Sequence, residues 1–373
     1  MTEPDLKLNL PNWLGYIMTI TGVTGFAGVI LLYACQCKLI YPANYPEGSR
    51  EEVAVPSDYG MNYIEETLRT RDGVHLKSYI ILQPNEDEAK RRPTILYFHA
   101  NAGNMGHRLP IAKQFYNRYK CNVVMLSYRG YGKSDGSPNE KGLKIDSQTM
   151  LDYVREHPIL RTTPLVAYGQ SIGGAVAIDL VSRNEDSFSG LMLENTFLSM
   201  PKVIPHVMPF LKYATFLCHQ HWYSEKAIKN IVNTPILFLA GAKDELVPPS
   251  HMLRLKELSE TRAGKVWASF PNGMHNNTCM QPGYFTAIQN YLSTHILKEE
   301  LGERSGTGYP TTQQVEPKET EDEATVEAGY VDGQIVGEDK ENNQSYQLVS
   351  GLADEKGQTH NFTVKEVYLD KDD

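Results

Sequence analysis

The sequence predicts an α/β fold class, in which a mostly parallel central sheet is covered by helices on both faces. Between residues 62 and 300, short β-branched or aromatic runs alternate with longer helical runs, which is typical of parallel βα units. Several strand-like runs are almost continuously apolar, as expected for strands buried on both faces. A charge-free apolar stretch precedes this region, and an acidic polar stretch follows it. These observations predict one α/β domain between two segments of different character.

Residues 13–36 are predicted to form a transmembrane helix after a short N-terminal segment, 1–12. Between Trp13 and Ala34 no residue is charged, and a run of roughly 20 apolar residues is long enough to span a hydrocarbon core. Trp13, Tyr16 and Tyr33 provide aromatic anchors near its ends. A cleaved signal peptide is the alternative, but the apolar stretch is long and the residues before it carry no net positive charge. The few flanking cations are nearly balanced, so they determine the orientation only weakly.

Residues 37–61 are predicted to be a linker, and residues 62–300 the α/β domain. Its strand-like runs include HLKSYIIL, PTILYFHA, NVVMLSY, PLVAYGQ, GLMLENTF, TPILFLAGA and KVWASFP. Its helical runs, with apolar residues at spacings of three and four, are KGLKIDSQTMLDYVREH, SIGGAVAIDLVSR, SHMLRLKELSETR and GYFTAIQNYLSTHILKEEL. The segment 195–223, rich in proline, methionine and aromatic residues, interrupts this rhythm. It is predicted to be an inserted cap, and the alternative is an ordinary core-packing helix pair.

Residues 301–373 are predicted to form a disordered acidic tail, because they are polar and aperiodic. The whole chain has a formal net charge of -9, and this tail has 17 acidic and 6 basic residues, so the preceding part is close to neutral. No stripe of lysine and arginine with interleaved aromatic residues occurs in the sequence. The charge pattern therefore argues against a nucleic-acid-binding protein.

Ser171 is the candidate nucleophile. The motif Gly169-Gln170-Ser171-Ile172-Gly173 lies directly after the predicted strand LVAYGQ and directly before the predicted helix SIGGAVAIDL. A nucleophile elbow requires this strand–turn–helix context, in which glycines permit a tight turn and the serine hydroxyl is exposed at the top of the sheet. The sequence therefore predicts a serine nucleophile, which in turn requires a base and an acid elsewhere in the chain.

Asp244 and His275 are the candidate acid and base. Asp244 follows the predicted strand PILFLAG, and His275 follows the predicted strand KVWASFP, each in a loop before a helix. The chain order Ser, Asp, His is that of the α/β-hydrolases and differs from the orders of chymotrypsin and subtilisin. Glu245 and Glu194 are rival acids, and a loop aspartate often serves only as a helix cap.

Two backbone N–H groups are the candidate donors of an oxyanion hole, those of Ile172 and Asn101. Ile172 directly follows the nucleophile, and Asn101 lies in the loop after the predicted strand PTILYFH. His99, in the same loop, is interpreted as a structural residue.

No cofactor and no metal ion are expected. Gly132-Lys133-Ser134 resembles the end of a P-loop, but Ser127 stands where that motif requires glycine. Cys218, His219 and His221 have no second pair of ligands at the usual spacing. N-glycosylation sequons begin at Asn276, Asn343 and Asn361 and matter only if this part of the chain faces a lumen.

Several longer motifs carry a family resemblance: FHANAGNMGHRLP, SYRGYGKSDG, YGQSIGGAVAIDL, LENTFLSMP, LVPP, FPNGMHNNT and GYFTA. The chain resembles the α/β-hydrolase domain-containing protein 13 group and the related fungal bud-emergence hydrolases, from the apolar segment to about Leu301. The resemblance implies an α/β-hydrolase fold, a type II single-pass membrane protein and the triad Ser171, Asp244 and His275. Ala100 stands where that group usually has glycine, and alanine is compatible with the loop if its φ is negative.

These expectations combine into one hypothesis, a membrane-anchored serine hydrolase that cleaves ester or thioester bonds of lipid-like acyl substrates through an acyl-enzyme. A lysophospholipid, a monoacylglycerol, a palmitoylated protein and a small ester all remain open as substrates. The expected location is the endoplasmic reticulum, another endomembrane or the plasma membrane. The alternative is a catalytically silent α/β-hydrolase scaffold that binds a membrane or polarity partner.

Overall fold

The structure is a computed structural model, and it describes residues 12–298 together with three short segments, 326–331, 334–339 and 344–347. The predicted N-terminal segment 1–12 therefore lies outside the described residues except for its last residue.

A mixed, mostly parallel sheet of eight strands forms the centre of the fold, in the order β1-β2-β4-β3-β5-β6-β7-β8. The strands are β1 (Ile64–Arg69), β2 (His75–Ile81), β3 (Thr94–Phe98), β4 (Asn122–Leu126), β5 (Leu165–Gln170), β6 (Gly190–Glu194), β7 (Ile236–Gly241) and β8 (Lys265–Phe270). β2 pairs antiparallel with both β1 and β4, and the pairs from β4 to β8 are parallel. The predicted α/β fold is confirmed.

Helices cover both faces of the sheet. The α-helices of the described residues are α1 (Asn12–Ile40), α2 (Glu86–Arg91), α3 (Leu109–Asn117), α4 (Glu140–Glu156), α5 (Ile172–Arg183), α6 (Met200–Val207), α7 (Ser224–Ala227), α8 (Pro249–Leu258) and α9 (Tyr284–Tyr291). Short 3-10 helices occupy Pro56–Tyr59, Met105–Arg108, Leu160–Thr162, Glu185–Ser187, Pro209–Leu217, Ile228–Asn230 and Thr278–Met280, and a π-helix, Leu292–Leu297, follows α9. The sequence patterns did not name β1, α2, α3 or α7. β1 is an edge strand with one buried residue, and these three helices are short.

The core has two apolar layers, one on each face of the sheet. Alternate residues of a strand belong to different layers: Leu96 and Phe98 pack in one, whereas Ile95 and Tyr97 pack in the other. This follows from the period of two along a strand. Because both faces are covered, β3 to β7 are buried along their whole length, which explains their continuously apolar sequences.

Helix α1 is apolar and long enough to cross a membrane from Tyr16 to Ile40, and its side chains are largely exposed in that range. Its last turn differs, since Gln36 and Ile40 are buried against the α/β domain. The helix extends four residues beyond the predicted end at residue 36. This last turn therefore belongs to the α/β domain rather than to a free linker.

The segment predicted as a cap contains α6 and the 3-10 helix Pro209–Leu217, called the 3-10 segment below. α6 buries Met200, Val203 and Ile204, whereas no residue of the 3-10 segment is buried. A core-packing helix pair, the alternative for this segment, would bury both helices.

Three short strands lie within the predicted disordered tail: Val326–Val331, Gln334–Asp339 and Gln344–Gln347. They pair antiparallel with one another and form a sheet separate from the main one. The remainder of 301–373 lies outside the described residues.

Candidate active site

Ser171 lies at a sharp turn between β5 and α5. Its backbone angles, φ 56° and ψ -120°, are a strained conformation for a residue with a side chain. Surrounding hydrogen bonds hold it: the Ser171 N–H donates to the Glu194 carbonyl at 2.9 Å, and the Thr196 hydroxyl donates to the Ser171 carbonyl at 2.7 Å. A strained serine held by its neighbours is the geometry of a nucleophile elbow.

The two glycines that flank the elbow are required by close backbone contacts. A Cβ atom added at Gly169 would lie 2.2 Å from the Gly173 carbonyl oxygen, and one at Gly173 would lie 2.1 Å from the Phe98 carbonyl oxygen. No side chain fits in either place. The Gly-x-Ser-x-Gly pattern is therefore explained by the packing of α5 against β3 and β5.

Ser171, His275 and Asp244 form a hydrogen-bonded chain. His275 Nε2 lies 3.0 Å from Ser171 Oγ, and His275 Nδ1 lies 2.8 Å from Asp244 Oδ2. Asp244 and His275 are buried, whereas Ser171 is partly exposed. Burial keeps the carboxylate and the imidazole away from bulk water, and partial exposure leaves the hydroxyl accessible to a substrate. This arrangement can transfer the serine proton to the imidazole.

The two rival acids do not contact the imidazole ring. Glu245 accepts a hydrogen bond from the backbone N–H of His275 at 3.0 Å. Glu194 is buried beneath the site and accepts hydrogen bonds from the hydroxyls of Tyr168 and Tyr284. Burial raises the pKa of Glu194. Asp244 is therefore the carboxylate that the structure places on His275.

Asp244 also orders its own loop. Its Oδ1 atom accepts hydrogen bonds from the N–H groups of Leu246 and Val247, at 2.9 and 2.8 Å. It is not the cap of α8, which begins at Pro249. Each carboxylate oxygen thus has a separate set of donors, which fixes the orientation of the carboxylate.

Two residues that the sequence patterns missed hold the histidine loop. The Asn195 amide donates to the His275 carbonyl at 3.2 Å and to the Thr278 hydroxyl at 2.9 Å, and its oxygen accepts from the Gly241 N–H at 2.8 Å. The Gln170 amide also donates to the His275 carbonyl, at 3.2 Å. Both residues lie at the carboxyl ends of parallel strands, a position that could have identified them.

The two predicted oxyanion donors border the same cavity as Ser171. Ile172 is the first residue of α5, so its N–H has no acceptor within that helix. The Asn101 side chain is held in place, since it donates to the Ile40 carbonyl and accepts from the Tyr131 hydroxyl at 2.8 Å. Ala100 has no positive φ, so alanine at this position introduces no backbone strain.

His99 packs beneath the oxyanion loop rather than facing the cavity. Its Nδ1 atom lies 2.7 Å from the Ala100 carbonyl oxygen, and the ring packs against Tyr128 and Tyr131. Burial lowers the pKa of His99 to about 3. A neutral imidazole here is consistent with the structural role predicted for it.

An apolar cavity of about 350 Å³ opens beside Ser171, at the lower end of the range of ligand sites. Much of its wall is formed by the end of α1, by α6 and by the loop that contains Asp244. The residues are Leu39, Ile40, Met200, Val203, Ile204, Val207, Leu246 and Val247. Asn276, where one sequon begins, also lines it. The other two sequon asparagines lie outside the described residues.

The remaining sequence motifs have structural roles. The Ser134 hydroxyl donates to the Ser127 carbonyl at 2.7 Å and accepts from the Lys77 N–H at 2.9 Å, so it holds a turn. His219 packs against Tyr33.

Together, the fold and the elbow define an α/β hydrolase. A family model described as serine aminopeptidase, S33, matches residues 89–230. The chain is 50% identical over 282 residues to protein bem46 of Schizosaccharomyces pombe, which covers 74% of this chain and 93% of bem46. It is 38% identical over 294 residues to the alpha/beta hydrolase domain-containing protein WAV2 of Arabidopsis thaliana, covering 74% of this chain and 94% of WAV2. The chain belongs to the α/β-hydrolase domain-containing family that includes bem46 and WAV2, which confirms the resemblance seen in the sequence.

Two further comparisons concern the membrane and the fold. A Saccharomyces cerevisiae relative named as a membrane protein is 40% identical over 281 residues, which is 75% of this chain and 95% of that one. Among solved structures, the Pyrococcus furiosus esterase Pf2001 superposes with a TM-score of 0.53 at 16% identity, covering 65% of this chain and 97% of the esterase. The latter likeness shows the fold alone.

Proposed function

We propose that this protein is a membrane-anchored serine hydrolase that cleaves ester or thioester bonds of acyl substrates through an acyl-enzyme. The observation that carries the proposal is the hydrogen-bonded chain from Ser171 through His275 to Asp244, at a strained elbow beside an apolar cavity. A Gly-rich turn without a catalytic role would have neither a buried histidine beside its serine nor a carboxylate on Nδ1 of that histidine.

In the proposed reaction, His275 Nε2 accepts the proton of Ser171 Oγ while the oxygen attacks the acyl carbonyl carbon. The carbonyl electron pair moves onto its oxygen, where the N–H groups of Ile172 and Asn101 stabilise the negative charge. The imidazolium, held by Asp244, then gives its proton to the departing alkoxide or thiolate. Water attacks the resulting acyl-enzyme by the same route, releasing a carboxylic acid and restoring the serine.

The lining of the cavity supports an acyl chain as the part of the substrate that binds there. Apolar side chains dominate its wall, and burial of methylene groups against them is favourable by about 0.8 kcal/mol each. A series of p-nitrophenyl esters of increasing chain length tests this. We expect kcat/KM to rise from acetyl towards medium chains, and turnover confined to acetyl and butyryl esters would contradict a lipid-like substrate.

Activity-based labelling tests the nucleophile. The full-length protein in detergent should react with a fluorophosphonate probe, and Ser171→Ala and His275→Ala should each abolish labelling. Ser182→Ala is the matched control, since Ser182 lies on the same helix and its hydroxyl only donates to a carbonyl within that helix. A folded wild type that never labels would instead favour the silent scaffold.

The proposed topology is type II, with the α/β domain on the lumenal side of an endomembrane or outside the plasma membrane. Helix α1 precedes the domain directly, so the domain lies on the side where Ile40 emerges. Protease digestion of sealed microsomes with an epitope after Asp373 tests this. We expect the epitope to be protected until detergent is added. Digestion of the epitope in intact microsomes would refute the type II topology.

A further inference from the structure

Three large aromatic side chains of the 3-10 segment are exposed on one face. Phe210, Tyr213 and Phe216 are 80%, 86% and 80% exposed, and they recur at every third residue. A 3-10 helix has three residues per turn, so side chains at this spacing lie directly above one another. The segment therefore presents an aromatic face that nothing in the described part of the chain covers.

The 3-10 segment is joined to the end of α1. The Gln36 amide donates to the Leu217 carbonyl at 3.2 Å, and its oxygen accepts from the His219 N–H at 2.8 Å. The ring of His219 also packs against Tyr33, with centroids 4.8 Å apart. Gln36 is buried by these contacts. They fix the segment beside the last two turns of the proposed membrane helix.

This attachment sets the level of the aromatic face relative to a bilayer. Tyr33 is a tyrosine at the end of the charge-free stretch, where aromatic anchors meet the headgroups. Along the helix axis, Ile40 lies about 10 Å beyond Tyr33. The 3-10 segment is attached within this interval, which is about as thick as the zone that interfacial helices occupy. The aromatic face therefore lies at the height of the interface of the same leaflet.

The charges around the aromatic face are complementary to a lipid surface. Between residues 198 and 223 the chain has Lys202, Lys212 and three histidines, but no aspartate or glutamate. Lys202 is paired with Glu225, so the positive charge beside the aromatic face comes from Lys212. Lys212 lies between the exposed aromatic residues, and its Nζ atom lies 5.8 Å from the centre of the Tyr213 ring, so its charge accompanies the aromatic face. Basic residues beside an apolar face are typical of segments that bind anionic membrane surfaces.

The proposed active-site cavity adjoins the same junction. Leu39, Ile40, Ile204 and Met208 line both this cavity and a smaller gap between α1 and the 3-10 segment. The end of α1 and the cap thus form a wall that is shared by the cavity beside Ser171 and the gap beside α1.

We infer that the 3-10 segment is a second membrane contact, inserted by Phe210, Tyr213 and Phe216 into the leaflet that α1 crosses. It holds the cavity against the bilayer, so the acyl substrate enters from the membrane rather than from water. The inference rests on the proposed anchor and hydrolase function, and it specifies substrates that reside in the bilayer.

Insertion is measured directly with an added tryptophan. The full-length Phe210→Trp variant is reconstituted into phosphatidylcholine–phosphatidylserine vesicles with brominated acyl chains, and its emission is compared with that of the wild type. Leu253→Trp is the matched control, because Leu253 is an exposed leucine on α8. We expect quenching of the tryptophan at 210 and none at 253. Equal emission at the two positions would overturn the inference and leave the aromatic face to a protein partner.

The consequence for substrate delivery is measured with a double variant. Phe210→Ser with Phe216→Ser should lower turnover of a long-chain ester embedded in vesicles by at least about tenfold, because tenfold already corresponds to losing the burial of one of the two phenylalanines. Its fluorophosphonate labelling and its turnover of a soluble short ester should match the wild type, since neither residue lines the cavity. Equal turnover of the vesicle substrate would contradict entry from the membrane.

These measurements separate the inference from the proposals on which it rests. A wild type that fails to float with vesicles would refute the anchor and the inference together. A wild type that floats, together with a Phe210→Trp variant whose added tryptophan is not quenched, would refute the inference alone. Fluorophosphonate labelling reports on the hydrolase function independently of both.

Discussion

Replacing Asp244 by asparagine should disable the proposed reaction while leaving the site nearly unchanged in shape. Oδ1 of Asp244 accepts from the N–H groups of Leu246 and Val247, so the asparagine carbonyl oxygen would remain there. The amide NH₂ would then take the place of Oδ2, 2.8 Å from His275 Nδ1. Because an NH₂ group donates, Nδ1 would have to accept, and Nε2 would carry the proton that faces Ser171.

A histidine in that tautomer cannot accept the serine proton. The expected loss is about 10⁴-fold in kcat/KM, equivalent to about 5.5 kcal/mol of transition-state stabilisation. The measurements are ester turnover and the rate of fluorophosphonate labelling, each with the purified full-length protein. The unfolding midpoint should change little, since the loop hydrogen bonds are kept.

Glu245→Gln is the matched control for this prediction. The glutamine oxygen can still accept from the His275 N–H, so we expect activity within about threefold of the wild type, a change of less than 1 kcal/mol. If Asp244→Asn retained activity within tenfold, or Glu245→Gln lost as much, the assignment of the acid would be refuted.

Three further predictions concern the fold and the histidine loop. Gly173→Ala places a Cβ 2.1 Å from the Phe98 carbonyl oxygen and should lower the free energy of unfolding in urea by about 1–3 kcal/mol. Gly25→Ala, where a Cβ would meet nothing within 4 Å, should change the free energy of unfolding little. Asn195→Ala removes the amide that holds the carbonyl of His275, and kcat/KM should fall by about 10²-fold through misplacement of the ring; an unchanged kcat/KM would contradict a positioning role. His251 is a buried residue of α8, and burial lowers its pKa to about 4, below the value of about 6.5 in an unfolded chain. The unfolded protein therefore binds a proton that the folded protein does not, and the free energy of unfolding falls as the pH falls from 6.5 towards 4. His251 alone should lower the free energy of unfolding by about 1.5 kcal/mol between pH 6.5 and 5, so the pH dependence of urea unfolding should be smaller in His251→Gln.

The sequence by itself determined the features that depend on local pattern. The strand, glycine and helix around Ser171 identified the elbow, because a strained turn requires small residues at fixed offsets. The alternation of apolar strands and amphipathic helices predicted the parallel sheet, since burial on two faces leaves a continuous apolar run. The position of His275 after the last strand followed from the same reasoning.

The tertiary structure decided which of three nearby carboxylates faces the imidazole. Asp244 and Glu245 are adjacent in sequence, yet one contacts the ring and the other the backbone of His275. Glu194 meets two buried tyrosine hydroxyls instead. Adjacent residues point in different directions, and a hydrogen bond across 31 positions leaves no periodic signal in the sequence.

The tertiary structure also joined the end of α1 to the cap and to the cavity. Gln36 contacts Leu217 across 181 positions, and Ile40 lines the cavity beside Ser171. The sequence separated these residues into an anchor, a linker and a cap. Only the folded chain brings them together, because contacts between distant segments depend on how the elements pack around the sheet and not on the pattern within any one of them.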